Sequence, residues 1–412
     1  MTTNDGAKSA HSRAEVLWTA SFAVLCVTVL LGYAQQALLT PTIPLYVTDQ
    51  GGSALLAGLA LLAFSVPSFV VRPVLGHLSD TWSASGVLTI GLVLLTIGAL
   101  LYLTPWIAMI FVAAAVRGVG WGGLNTGGYT LLAAASPAGR RGEASGYYTS
   151  ITTAATIAFP AIALWLIDGP GSFTLVFAMG ATVSAIGAPV SHFVMRRLVT
   201  AEAASQAAST PSSLALAPAP AGLVDRGVLL ATSLNLASTL AYPAVVAFLP
   251  LYARELGIGN IGFFYVIAGV TSIIIRPVMG RKSDSIGRGP SIALAFMSSI
   301  LGLLLIVFAQ NLPMILLGGV FTALGQAINS SATTALAMDL ANPAGRGKAM
   351  ATFSVSFQLG AGIGAIFAGA IADLAGYRFM YVGSIAIIGL GFVVLALSWR
   401  ALTGAPGERA TA

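Results

Sequence analysis

Twelve long apolar stretches, separated by short clusters of Gly, Pro and charged residues, make up most of this chain. They lie near 16–39, 54–78, 86–103, 106–133, 143–167 and 173–195, and again near 227–249, 260–280, 289–309, 312–338, 348–371 and 377–399. A bilayer core of about 30 Å takes about 20 helical residues, and lipid leaves no backbone amide or carbonyl unbonded, so runs of this length read as membrane-spanning helices. Of the 412 residues, 57% are hydrophobic and 8% charged, against about 25% charged in a soluble domain. Mean hydropathy is +0.90. So few charges cannot clothe a water-facing surface, and an all-α, multi-pass membrane protein is expected. The first stretch is too long for the core of a signal peptide and reads as a retained helix. A single cysteine, Cys26, allows no disulfide within the chain and no cysteine pair for a metal. No catalytic motif, metal-ligand cluster or GxxxxGK[ST] phosphate loop is present. Neither an enzyme nor an ATP-driven pump is expected, and no cofactor.

Twelve crossings place both termini on one side. The net charge of +6 and pI of about 9.6 read as Lys and Arg on cytoplasmic loops rather than as a nucleic-acid surface. With the N-terminus inside, the inside segments hold fourteen of the nineteen Lys and Arg, and the outside loops hold only Arg254 and Arg378. Both termini are therefore expected in the cytoplasm, with the chain in the inner (plasma) membrane. Residues 198–225, rich in Ala, Ser and Pro, read as a flexible cytoplasmic linker.

The chain also repeats itself. RPVLGHLSD at 72–80 returns as RPVMGRKSD at 276–284. IPLY at 43–46 returns as LPLY at 249–252, SPAGRRGEA at 136–144 as NPAGRGKA at 342–349, and Asp168 as Asp373. The offset drifts only between 204 and 206. Residues 1–197 and 226–412 thus read as two pseudo-symmetric six-helix bundles in the same orientation, the parallel-repeat plan of major facilitator transporters.

The doubled stretch resembles the signature that the major facilitator superfamily carries between helices 2 and 3 and helices 8 and 9. Here it stands as Gly76-His77-Leu78-Ser79-Asp80 and as Gly280-Arg281-Lys282-Ser283-Asp284, with Gly287-Arg288 following. The resemblance implies that Gly76, Asp80, Gly280, Arg281, Asp284 and Arg288 form a conformational latch at the cytoplasmic ends. The first copy lacks the basic residues usual in the family, which implies a weaker or different latch there. The PAGRRGEA and PAGRGKA loops resemble those of bacterial efflux-type members. The helix-5 antiporter signature is reduced to Phe159-Pro160-Ala161.

Three arginines sit inside apolar stretches. Arg72 and Arg276, each before a proline, read as structural arginines that solvate the cytoplasmic half of the interface. Helix 4 is expected to start at Thr104-Pro105, which puts Arg117 about 18 Å deeper, near the bilayer centre. A charge there is a functional-site candidate. Arg117 shares a helical face with Trp121 and Asn125. It reads as a cavity or coupling residue or, alternatively, as a structural arginine bonded to carbonyls. In this fold helices 1, 4, 7 and 10 line the cavity. Their polar stripes supply the candidate substrate-binding residues: Tyr33, Gln36 and Thr40; Asn235, Thr239 and Tyr242; Thr322, Gln326, Asn329 and Thr333. No carboxylate lies mid-membrane, so a proton site would have to be Asp80, Glu143, Asp339 or His77. A lone cation among amides points away from a cationic solute and toward a neutral, zwitterionic or anionic one.

The expectation is a monomeric, twelve-helix secondary transporter of a small organic solute, working by alternating access as a proton-coupled efflux carrier (antiporter). An uptake carrier for an organic anion such as a carboxylate is the alternative. A non-transporting membrane sensor is the rival of another class; it would need a sizeable signalling domain, and only a short linker and tail are seen.

Overall fold

The structure is a computed structural model that describes residues 17–137, 140–169, 171–195, 225–341 and 346–399. Residues 198–224 of the expected linker lie outside the described residues. Among the described residues the chain is all-helical, with no strand. In order, the helices are α1 (Ala20–Asp49), α2 (Ala54–Val70), α3 (Arg72–Leu78), α4 (Ala84–Leu101), α5 (Ile107–Ala135), α6 (Arg141–Asp168) and α7 (Phe173–Pro189). There follow α8 (Leu229–Val246), α9 (Leu249–Glu255), α10 (Gly262–Ile286), α11 (Arg288–Val307), α12 (Leu312–Leu340), α13 (Arg346–Ala375) and α14 (Tyr377–Leu397). Among the described residues ten spans are long and apolar enough to cross a membrane, and two shorter apolar helices lie at Ala54–Val70 and Gly262–Arg276.

Local chemistry sets the ends. Ser53, Ser83, Ser172 and Asn311 each accept a hydrogen bond from a backbone N–H three residues on, capping α2, α4, α7 and α12. Gly376, at φ +90°, makes the one-residue turn between α13 and α14, a backbone region that a side chain would strain. Three boundaries differ from expectation. Helix α1 does not stop near residue 39 but runs on through Pro41 and Pro44 to Asp49. Thr40 and Thr42 bond back to the Gln36 and Leu38 carbonyls in this stretch, and prolines are tolerated inside membrane helices. Helix α5 starts at Ile107 rather than at Pro105, because the Thr104 hydroxyl closes the preceding helix by bonding the Leu101 carbonyl. The second apolar stretch breaks at Val71, immediately before Arg72-Pro73, whereas its repeat stays helical through Arg276.

Small residues bring helices together in the same way in both repeats. A Cβ on Gly91 of α4 would meet the Leu124 backbone nitrogen of α5 at 2.5 Å. One on Gly302 of α11 would meet the Thr322 nitrogen of α12 at 2.6 Å. Contact this close lets backbones pack where lipid supplies no hydrophobic drive between helices.

Two antiparallel seams join the earlier helices to the later ones: α2 against α13, and α6 against α10. In the first, a Cβ on Gly58 would collide with the Ala365 carbonyl, one on Gly369 with the Ala54 carbonyl, and one on Gly362 would come 2.9 Å from the Ser65 Cβ. In the second, Gly262 faces Ala161 and Gly269 faces Ile157. All these contacts lie toward the end of the molecule that carries Arg254 and Arg378, the arginine-poor end. Toward the arginine-rich end, α3 packs on α4 and α5 of its own half and, among the described residues, forms no such seam with any helix of the second half, and Gly76 on it has no neighbouring atom within 4 Å of a Cβ position. The seams are closed at one end and parted at the other.

Candidate functional site

The closed end is held by charge as well as by packing. The Asp373 carboxylate on α13 accepts the backbone N–H of Ala54 (2.8 Å) and of Leu55 (2.9 Å) at the start of α2. A carboxylate on the positive end of a helix, taking two charge-assisted bonds, is a strong form of this contact. Asp168, at the matching place in the repeat, instead pairs with Arg254 at 3.1 Å, with both side chains about two-fifths exposed. The same position in each repeat thus binds across the seam, one to backbone and one to a guanidinium. Sequence reasoning matched the two aspartates but did not assign them a role.

Deeper in, the polar residues fall into two clusters. In the first half, Arg117 is 1% exposed. It donates to Gln36 Oε1 at 2.7 Å and, more weakly, to Gln35 Oε1 at 3.4 Å. Its guanidinium lies over the rings of Phe64 (5.4 Å) and Tyr102 (5.7 Å). Gln35 in turn donates to the Leu95 carbonyl of α4. Gly98 makes the room, since a Cβ there would collide with the Arg117 side chain. Arg117 is therefore packed inside the α1–α2–α4–α5 bundle, and its polar route outward runs through half-buried Gln36. Gln35, Phe64, Tyr102 and Gly98 were not singled out from the sequence, because none of them is unusual until Arg117 is placed beside it.

One and two turns along α5, Trp121 and Asn125 sit with Tyr33. The Tyr33 hydroxyl donates to Asn125 Oδ1 at 2.9 Å, and the Tyr33 and Trp121 rings lie 4.7 Å apart. Tyr129, 56% exposed, lies with its ring 5.3 Å from that of buried Tyr148, tilted by 38°. Arg72 lies within charge-interaction range of Tyr33 and Tyr129.

In the second half, Asn235 and Asn329 are fully buried and bonded to one another at 3.1 Å. Asn235 also donates to Ser356 Oγ at 2.8 Å and accepts from Thr333 at 3.3 Å. This knot ties α8, α12 and α13 together. Gln326 is half-buried and accepts from Ser238, and Tyr242 is 42% exposed, near Arg276. Tyr33, Trp121 and Asn125 are thus gathered in one place, Asn235 and Asn329 in another, and Gln326 and Tyr242 stand on more accessible faces.

Of the latch residues, Asp80 is exposed, and Arg288 bonds within its own half, to Asp339 at 2.9 Å and to Ser283 at 3.3 Å. The side chains of Arg281 and Asp284, and the surroundings of Gly280, lie outside the described set. Among the described residues no group of three His, Cys, Asp or Glu could hold a metal.

The sequence model of the Major Facilitator Superfamily matches residues 25–311 and 260–412. The chain belongs to that superfamily. It is a membrane transporter and not an enzyme. The Staphylopine export protein of Staphylococcus aureus is 24% identical over 375 residues, covering 87% of this chain and 91% of that one. The Multidrug resistance protein MdtG of Proteus mirabilis is 30% identical over 162 residues, covering 37% and 40%. The fold matches that of a POT family transporter solved in complex with 5-aminolevulinic acid, at TM-score 0.74, 12% identity and coverage of 92% and 96%. It also matches that of a bacterial homolog of the human lysosomal transporter Spinster in an inward-facing and unoccupied conformation, at TM-score 0.73, 12% identity and coverage of 94% and 98%. As a major facilitator transporter the chain carries a small-molecule substrate and sits in the lipid bilayer.

Proposed function

We propose that this chain is a proton-coupled secondary transporter that moves a small organic solute out of the cell across the plasma membrane. Its twelve crossings form two six-helix bundles, residues 1–197 and 226–412, with both termini in the cytoplasm. The observation that carries the reading is the pair of seams, closed at the arginine-poor end and parted at the arginine-rich end. With positive charge inside, this is the inward-open half of an alternating-access cycle. Rocking one bundle against the other would then close the arginine-rich end and open the other, with the latch residues Gly76, Asp80, Gly280, Arg281, Asp284 and Arg288 taking over there. Gln36, backed by Arg117, and the Tyr33–Trp121–Asn125 group would line the solute path from one bundle, and Gln326 and Tyr242 from the other. Asn235 and Asn329 would hold the second wall in shape.

Outward direction is supported by the relatives named as an export protein and a multidrug resistance protein, and by the loops around Arg140 and residue 345. Uptake of an organic anion is the second reading, kept open by cations on the parted side that have no carboxylate partner. Inside-out vesicles holding the full chain, acidified inside and offered a small-molecule extract of the host cytoplasm, should accumulate the solute, read by mass spectrometry. Dissipating the pH gradient should stop this. Accumulation only in right-side-out vesicles would replace efflux by uptake, and accumulation in neither would end the transport reading.

A further inference from the structure

We propose that Arg72 and Arg276, one from each copy of the repeated RPV stretch, are the charged recognition groups of the solute site, and that the solute carries a carboxylate. This rests on the transport reading above and names its substrate class. From the sequence alone both arginines read as structural, and their surroundings argue otherwise. A structural arginine inside a membrane protein is bonded to carbonyls or paired with an acid, because an unpaired charge there costs several kcal/mol. Arg72 makes no hydrogen bond or ion pair among the described residues, and its Nε is shut off from solvent with no partner. Arg276 is exposed and likewise has no ion pair or hydrogen bond among them. The Nε of Arg117 is without a partner too, but its guanidinium bonds two glutamine oxygens and lies over two rings, whereas Arg72 has neither kind of contact among the described residues.

Position supports the assignment. Arg72 sits at the break between α2 and α3, where Gly122 of α5 packs against Val71. That brings it to the Tyr33–Trp121–Asn125–Tyr129 group, whose Tyr129 is 56% exposed. Across the molecule Arg276 stands near Tyr242, 42% exposed. Both lie toward the arginine-rich side of the closed seams, so the parted space can present both. The described carboxylates are elsewhere: Asp49, Asp168, Glu255 and Asp373 toward one end, and Asp80, Glu143, Asp225 and Asp339 at the other. A guanidinium offers a planar fork that matches a carboxylate with two hydrogen bonds, and the neighbouring rings would cover the solute's apolar part.

The test is binding to the purified full chain, read by thermal shift and by quenching of tryptophan fluorescence. The probes are matched pairs, succinate with succinamide, benzoate with benzamide and glutamate with glutamine, together with citrate. At least one carboxylate should stabilise the protein while its amide does not. Arg72→Gln should weaken that binding at least tenfold without lowering the melting temperature of the unliganded protein. Arg72→Lys should recover part of it, and Arg276→Gln should weaken it too. The proposal is overturned if no carboxylate binds, if acid and amide bind alike, or if Arg72→Gln binds normally. It is also overturned if a neutral or cationic solute is carried equally well by wild type and Arg72→Gln, a result that leaves the transport reading standing. Carboxylate binding lost in Arg72→Gln, in a chain that moves nothing in vesicles of either orientation, would keep the site and end the transport reading instead.

Discussion

At the scale of single residues, Arg117 shows how a charge can be placed mid-membrane without an acid. Two amide oxygens and two ring faces surround it, and Gly98 opens the space it fills. Hydrogen bonds to a charged group contribute about 1.5–3 kcal/mol each, so this group is a large local share of the fold's stability. Arg117→Gln should therefore lower the melting temperature of the detergent-purified protein. Arg117→Lys should not restore it, because one ammonium cannot span both glutamines and stack on the rings. Normal stability in Arg117→Gln, with transport lost, would move Arg117 onto the solute path. Gly98→Ala should cost about 1–3 kcal/mol by overpacking. The new methyl would meet the Ala113 carbonyl at 2.9 Å as well as the arginine, and backbone has less freedom to yield.

At the scale of elements, the two matched aspartates do different jobs. Asp373 fastens the first turn of α2 to α13 through two backbone N–H groups. Asp168 and Arg254 form an ion pair about two-fifths exposed, and exposed pairs are worth about 0–1 kcal/mol. Both contacts cross a seam, so they stabilise only the conformations in which that end is closed. Asp373→Asn should shift the population toward states open at the arginine-poor end, and Asp168→Asn should shift it less. Spin labels at exposed Gln50 and Leu256 in a Cys26→Ser background, measured by double electron–electron resonance, should report the longer distance more in the first variant. Equal shifts would mean that the α2 cap is no stronger than the surface pair.

At the scale of the whole molecule, the seams set what a cycle requires. Gly58, Gly362 and Gly369 let α2 and α13 touch backbone to backbone. Gly58→Val should wedge that seam, leaving each bundle folded but preventing closure of the arginine-poor end. Expression and melting temperature should stay near normal while vesicle transport falls by an order of magnitude or more. A melting temperature that falls along with transport would make the seam part of one fixed core. Orientation is checked separately: alkaline phosphatase fused after Pro170 or Arg254 should be active, and fused after Arg140 or Ala208 inactive. The reverse pattern would invert the topology.

The amino-acid sequence by itself determined the class of fold and its repeated plan. Lipid requires every crossing segment to satisfy its own backbone, so each apolar run commits to helix one at a time. The pairing of 72–80 with 276–284 needs no structure to be seen. What the sequence left open was which face of each helix looks where. In water, apolar residues mark the inside; in a bilayer both the packed interior and the lipid are apolar, so a polar stripe can bind a neighbouring helix or line a path. Asn235 and Asn329 share their stripes with the more accessible Tyr242 and Gln326, yet they close on each other and on Ser356. Arg117 and Arg72 are both arginines in apolar helices. Only the positions of Gln36, Phe64, Tyr102 and Tyr129, contributed by other helices, separate the arginine that bonds two glutamines from the one that makes no hydrogen bond or ion pair among the described residues. The closed end is likewise a tertiary fact, since it depends on residues more than 300 positions apart, Ala54 and Asp373, meeting at one helix terminus.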